Sequence, residues 1–377
     1  MKDPCFESES WGELYATLTA AVDLEGLAAD TKALRRRRRL REVQELLRLA
    51  LAYGAGLGSL RTTAAWAARV GIAELSDVAL MKRLCGAGDW LVAIFGRLLR
   101  ARSGALPPGI GSRPLRLVDA SCISKPGSVG TDWRLHAVFD PARQCFSELE
   151  LTDAKGGECF DRFAVLPGEI RIGDRGYIGC AGLRHVVGGG GDFIIRAGWN
   201  AFRLRGPNGA RFDLFAGLRR AGNQLDQWVW IEDPRHHAAL KVRLVAARKS
   251  PAAAEQERRR LRQNAKRKGK TPDARSLEAA GWIILVTSLD DVPANDILAL
   301  YRLRWQIELA FKRLKSLAHL DQLPARKPAL ARSWIAAKLI IAALIGLTIQ
   351  EFLEFPPSGR RNAKAPTLDL APLPARL

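Results

Sequence analysis

Along the first hundred or so positions, hydrophobic residues recur three and four apart, the spacing of helices with one apolar face. The stretch LREVQELLRLALAYG carries this pattern most clearly, and Asp30-Thr31 is placed to cap a helix that enters Arg35–Arg39 and runs on into it. Arg61–Val70 predicts a further helix stopped by Gly71, and Ser76 is placed to cap another through Leu84. That pair fits a helix-turn-helix whose second helix enters a major groove, and equally any short helical hairpin.

From Gly104 to Pro114 the run GALPPGIGSRP reads as a linker, and the apolar period beyond it drops to two. LRLVDAS is a short apolar run ending in Asp119. WRLHAVFD and CFSELELT alternate and are joined by PARQ, which predicts a β-meander. A short helical piece around Cys159–Ala164 precedes EIRIGDRGY, which sets Asp174 just past a fourth strand. From about 188 to 287, DFIIRAG, AFRLRG, QWVWIED and AALKVRLVAARK predict short strands between Gly, Pro and Asn turns, a β-rich insertion. GWIILVTSL then returns as a strand, and DDVPANDILAL leads into YRLRWQIELAFKRLK, residues Tyr301–Lys315.

Taken as one helix at about 100° per residue, Tyr301, Arg304, Glu308 and Lys315 share a stripe roughly 60° wide. Leu300, Leu303, Ile307, Ala310, Phe311 and Leu314 form an apolar face beside it. Trp334–Leu353 approaches the length of a membrane span, but Lys338 and Gln350 interrupt it and Glu351 and Glu354 close it. A buried C-terminal helix is the expectation there, followed by a loose Pro-rich tail.

Composition changes this picture in one respect. A chain of 377 residues, 47% hydrophobic and 26% charged, is long enough for two or three ordinary globular domains. Its 59 Lys and Arg against 39 acids leave +20, which points to a polyanionic partner, nucleic acid above all, with an anionic membrane surface as the alternative. Glu257–Lys270 holds eight basic residues in fourteen, too many for a core, and fits either a solvated segment or a clamp on phosphate backbone. Six scattered cysteines show neither a CxxC pair nor zinc spacing, and MKDPCFESESW lacks the apolar core of a secretory signal. A cytoplasmic location is expected.

Two aspartates at neighbouring strand ends and a glutamate on a helix packed across them would converge at one sheet edge. Three carboxylates in one place repel unless a cation neutralises them, and all-oxygen donors suit Mg²⁺ or Mn²⁺. Two such ions support phosphodiester cleavage by activating the attacking oxygen and stabilising the departing one. A salt-bridged amphipathic helix is the plain alternative for Tyr301–Lys315. Asp132, Asp140, Asp153 and Asp161 are read as turn residues.

The pattern Tyr301-x2-Arg304-x3-Glu308-x6-Lys315 is identified as the Y-R-E-K motif, and through it the chain resembles the IS-four family of bacterial DDE transposases, the Tn-five and Tn-ten type. LVDAS around Asp119 and IGDRGY around Asp174 and Arg175 extend the resemblance to roughly residues 110 to 320. It implies an α/β chain with a ribonuclease H-like catalytic core in 106–187 and 288–332. A β-rich insertion (188–287) interrupts this core, a helical N-terminal DNA-binding domain (1–105) precedes it, and a C-terminal helix with a Pro-rich tail (333–377) follows. Asp119, Asp174 and Glu308 are then the catalytic, metal-binding acids, served by Mg²⁺ or Mn²⁺ as two ions. Tyr301, Arg304, Lys315 and Arg175 contact DNA phosphates, and Trp282 stacks on a flipped base with Trp305 as a second aromatic nearby; core packing is the other role open to both. The implied activity is cut-and-paste transposition: binding of inverted terminal repeats, pairing of ends by a homodimer, hairpin formation and transfer into target DNA. The residues alone leave open an inactive DNA-binding regulator and a ribonuclease H-like nuclease without strand transfer.

Overall fold

A computed structural model of the chain describes residues 8–56, 58–101, 113–125, 127–143, 145–233, 239–318, 320 and 323–354. Six helices come first: α1 (Ser8–Ala21), α2 (Leu24–Asp30), α3 (Val43–Ala55), α4 (Leu60–Arg69), α5 (Asp77–Gly86) and α6 (Gly88–Ala101). Side-chain caps fix several starts. Asp23 accepts from Gly26 N at 2.9 Å, Ser59 from Thr62 N at 3.2 Å and Ser76 from Ala79 N at 3.2 Å.

The expected helix through the arginine run does not form. Asp30 ends α2 instead of opening a helix, Thr31 Oγ1 closes it by donating to Leu27 O at 2.6 Å, and Lys32 turns the chain at φ 55°. Arg35–Arg39 is exposed and non-helical between the buried anchors Ala33, Leu34 and Leu40. Burying both flanks pushes five cations that would repel one another on a helix out into water. Arg37 meets Glu25 at 2.8 Å, and Arg39 donates to Glu74 O at 2.6 Å.

The strands are β1 (Leu115–Ile123), β2 (Trp133–Asp140), β3 (Cys145–Asp153), β4 (Ile170–Gly173), β5 (Asp192–Arg196), β6 (Leu204–Arg205), β7 (Gln224–Ile231), β8 (Leu240–Arg248) and β9 (Trp282–Thr287). They form one sheet in the order β3-β2-β1-β4-β5-β9-β8-β7-β6, with β1, β4 and β5 mutually parallel and the other pairs antiparallel. Residues 188–287 therefore extend the same sheet, and they also contain helices. Between the strands lie α7 (Cys180–Gly188), α8 (Leu214–Ala221), α9 (Pro251–Arg267) and α10 (Ala274–Ala279), followed by α11 (Ala294–Arg302) and α12 (Trp305–Ala318). The predicted AFRLRG strand shrinks to two residues, because the chain turns back with Gly206 N on Ala210 O at 2.8 Å.

Alternation sends side chains to two cores. Leu117, Leu135, Ala137 and Phe139 join the core shared with α3, α6 and α12, while Val118, Val138, Phe193 and Ile195 face the core under α7 and α8. The last helix, α13 (Pro328–Glu354), packs on α3, α5 and α6. It approaches α3 so closely that a Cβ on Gly54 would stand 2.7 Å from Ala337 Cβ, which is why position 54 has no side chain. It begins six residues before Trp334, and 67% of its Pro328–Ile345 stretch is buried against protein. That burial accounts for its apolarity without a bilayer. Most of the Gly104–Pro114 linker and the tail beyond Glu354 lie outside the described residues.

Candidate active site

Strand register brings the first two acids together. β1 and β4 pair in parallel with Leu117 opposite Ile172, so Asp119 and Asp174 stand at corresponding positions two residues further along. Leu117 and Ile172 face the same core as α12, and with a period of two Asp119 points to that side as well, with Asp174 near enough for its charge to act on it. Asp119 lies in the middle of β1 and not at its end, since antiparallel pairing with β2 carries β1 on to Ile123. Asp174 follows β4, and its Oδ1 accepts from Gly176 N at 2.7 Å, opening a 3₁₀ turn over Arg175–Tyr177.

The third acid arrives on α12. Ile307, Ala310 and Phe311 bury its apolar side, with the Phe311 and Phe146 rings 5.4 Å apart. The single helix expected over Tyr301–Lys315 is in fact two. α11 ends at Arg302, Leu303 and Arg304 form a turn, and α12 starts at Trp305. Successive bonds from Leu303 N to Leu300 O, Arg304 N to Tyr301 O and Gln306 N to Leu303 O, at 2.9–3.1 Å, wind this junction as 3₁₀. Tyr301 thus closes one helix, Arg304 sits in the joint, and Glu308 and Lys315 ride on the next.

Arg304 supplies the positive charge among the acids. Its Nη1 lies 3.7 Å from Asp119 Oδ2, and its Nη2 donates to Glu308 Oε1. Its guanidinium also stands 5.9 Å from the Tyr301 ring centre. One arginine does not balance three carboxylates: burial first, then the charges of Asp174 and Glu308, push Asp119 up to about 7. Among the described residues, no three His, Cys, Asp or Glu side chains close around a common point as they stand. The donor chemistry nevertheless fits a hard divalent cation. All three groups are carboxylates, and the surplus negative charge that raises Asp119 is what such a cation removes.

Cations flank the acids on the β5–β8 side. Burial and then Arg196 push Arg175 down, and Lys249 is pushed down by burial and Arg196 as well, with Glu257 of α9 opposing. Arg196 Nε is buried without a hydrogen-bond partner among the described residues. Lys315 is half-buried on α12.

The two tryptophans part company. Trp282 is 6% exposed in the second core, with the Arg248 guanidinium 5.6 Å from its ring centre. Trp305, next to Arg304, is 59% exposed. The resemblance placed Trp282 first for stacking, but only Trp305 presents an open ring here. Trp282 opens a strand and Trp305 opens a helix, and neither position shows in sequence which ring tertiary packing will cover.

Of the aspartates read as turn residues, Asp132, Asp140 and Asp153 accept amides of turns, Asp153 from Lys155 N at 2.9 Å, while Asp161 lies inside the 3₁₀ helix Phe160–Arg162. Asp132 accepts from Lys125 N at 2.8 Å, and Asp140 accepts from Ala142 N at 3.0 Å while pairing with Arg116 at 2.9 Å. Glu158, which sequence reasoning passed over, is pushed up by burial and then by the nearby charge of Asp174. It lies in GGECFDRF, and nothing in that string announces where the chain will carry it.

Known proteins share this framework. The family described as transposase DDE domain matches residues 110–344, from just before β1 into α13. Over 369 residues the chain is 42% identical to the InsL protein of insertion sequence element IS186A from Escherichia coli (strain K12), covering 95% of this chain and 99% of that one. It is 41% identical over 370 residues to the transposase for insertion sequence element IS421 of Escherichia coli, with the same coverage. The transposase for insertion sequence element IS231F of Bacillus thuringiensis subsp. israelensis is 28% identical over 211 residues, 52% of this chain and 44% of that protein. With the matched region spanning both aspartates and the α11–α12 junction, the chain belongs to the DDE transposase family, enzymes that cut and join DNA with the help of divalent metal.

Proposed function

We propose that this chain carries out cut-and-paste transposition, with Asp119, Asp174 and Glu308 as its catalytic carboxylates. The observation that carries the reading is the register that aligns Asp119 with Asp174, with Arg304 linking Asp119 to Glu308. The strand order β3-β2-β1-β4-β5, with β1, β4 and β5 parallel, supports a ribonuclease H-like core. α1–α6 form the helical unit proposed to hold transposon ends.

Asp119, Asp174 and Glu308 would hold Mg²⁺ or Mn²⁺, two ions in the full site. The chemistry that such a pair supplies is activation of the attacking water or 3′-hydroxyl and stabilisation of the leaving oxygen. The chain's own residues do the rest. Arg304 serves as internal counter-ion while the acids lack metal, and its planar fork is suited to a phosphate once they are neutralised. Tyr301 braces that guanidinium, and Lys315, Arg175, Arg196 and Lys249 place further positive charge where the backbone would run. Trp305, beside the joint, offers the face on which an unpaired end base would stack during hairpin formation. Two protomers, each holding one inverted terminal repeat, would pair the ends before strand transfer.

A supercoiled donor plasmid bearing the element's own ends tests this. Wild-type protein with Mg²⁺ is expected to excise the element and yield covalent donor–target products. Asp119→Asn, Asp174→Asn and Glu308→Gln should each reduce cutting below detection while still shifting end DNA. Normal cutting by any one of them removes that residue from the triad, and cutting without joined products leaves a nuclease.

A further inference from the structure

The segment between β3 and the 3₁₀ turn Phe160–Arg162 carries a fourth carboxylate to the same place. Glu158 is half-buried, and among the described residues it makes no hydrogen bond and no ion pair. Arg134, the cation whose charge acts on it, spends one Nη on Gly156 O at 2.7 Å. Gly176 explains how Glu158 gets so close. A Cβ there would collide with Glu158 Oε2 and stand 3.1 Å from Asp174 Oδ1, so the two acids face each other across a position that only glycine leaves open.

Two carboxylates in that relation favour a cation held between them. A second observation points the same way. Tyr177 is 1% exposed and its hydroxyl has no hydrogen-bond partner among the described residues. Burial first, then the charges of Asp119, Glu158 and Asp174, push its hydroxyl up, with Arg162 opposing. A buried phenol is seldom left without an acceptor, and this one, stacked on Phe160 at 4.9 Å, lies within range of the charges of all three acids.

We propose that Glu158 is a further oxygen donor of the metal centre, holding a divalent cation jointly with Asp174 while the Tyr177 hydroxyl donates to a water on that cation. This rests on the reading of Asp119, Asp174 and Glu308 as the catalytic acids, and it gives the centre four carboxylates. The extra negative charge favours tight capture of a dication, and the Gly176 gap sets the distance between the two donors.

Mn²⁺ titration of the full chain without DNA, followed by the electron paramagnetic resonance of the free ion, tests it apart from catalysis. Glu158→Gln should weaken Mn²⁺ binding about tenfold or more and raise the Mg²⁺ needed for half-maximal cutting by a similar factor. Glu158→Asp should restore most of the loss, and metal-free binding of end DNA should match wild type in both. Should Glu158→Gln lose end binding, Glu158→Ala, which leaves space instead of an amide, takes its place. Mn²⁺ affinity within twofold of wild type in the folded variant, alongside loss in Asp174→Asn, overturns the role of Glu158 and leaves the triad standing. Wild-type affinity in Asp119→Asn and Asp174→Asn as well overturns the triad itself.

Discussion

Asp119 is surrounded by β1 and its neighbours with two acids in range, and its proton is held to about pH 7. In the unfolded chain the same carboxyl ionises near 3.8, so the native state binds a proton that the unfolded state releases. The stability from this group is complete below pH 3.8 and is lost as pH rises through 7. Asp119→Asn is therefore expected to stabilise the metal-free protein above pH 7 by about 1–3 kcal/mol, with the gain fading towards pH 4, as thermal melts across that range will show. Divalent metal must displace the same proton, so below pH 7 Mn²⁺ affinity should fall about tenfold per pH unit. The tryptophans give a second contrast at this scale. Trp282→Ala should cost about 3–5 kcal/mol of stability in denaturant titration, because it empties a site in the second core. Trp305→Ala should leave stability unchanged and weaken binding to ends with an unpaired base by about 1–3 kcal/mol.

The elements of the catalytic half were legible because their signals are local. β1 to β4 follow from alternation and turn residues, and the apolar face Leu300, Ile307, Ala310, Phe311 is buried as its spacing demands. What failed was decided by packing between distant segments. The break at Leu303–Arg304 lies within a sequence of good helix formers, and only the 3₁₀ bonds that aim Arg304 at Asp119 reveal it. The arginine run left its helix because Leu34 and Leu40 are claimed by the core. Glu158 was hidden for the same reason, since the segment that carries it is held by a residue on another strand. Arg171, 1% exposed on β4, donates to Phe160 O at 2.7 Å and Phe163 O at 3.0 Å, reaches Ala164 O, and pairs with the buried Glu169 at 2.6 Å. Arg171→Met orphans those carbonyls and strands a buried acid. A loss of about 3–5 kcal/mol is expected, measurable by urea unfolding.

Across the whole molecule the charge is distributed with purpose. α9 exposes Arg259, Arg260, Lys266 and Arg267 to solvent, while its Glu257 acts on Arg175 and Lys249 beside the acids. The basic run is thus a solvated helix whose Glu257 reaches the cations beside the acids, and its proposed role is to follow a phosphate backbone leading away from them. Replacing those four residues with Gln should weaken DNA binding for every sequence alike. It should also flatten the plot of log affinity against log salt by about one unit for each phosphate that is no longer neutralised. The path of α13 has a different consequence. The wall that completes the packing of α3, α5 and α6 is translated more than two hundred residues after α6. While the ribosome is still making the sheet, the first six helices lack a surface they need and keep Leu and Ala side chains in water. The unit proposed to grip transposon ends therefore matures last although it is made first. A polypeptide stopped short of α13 would have the proposed acids in place and an unfinished helical unit beside them.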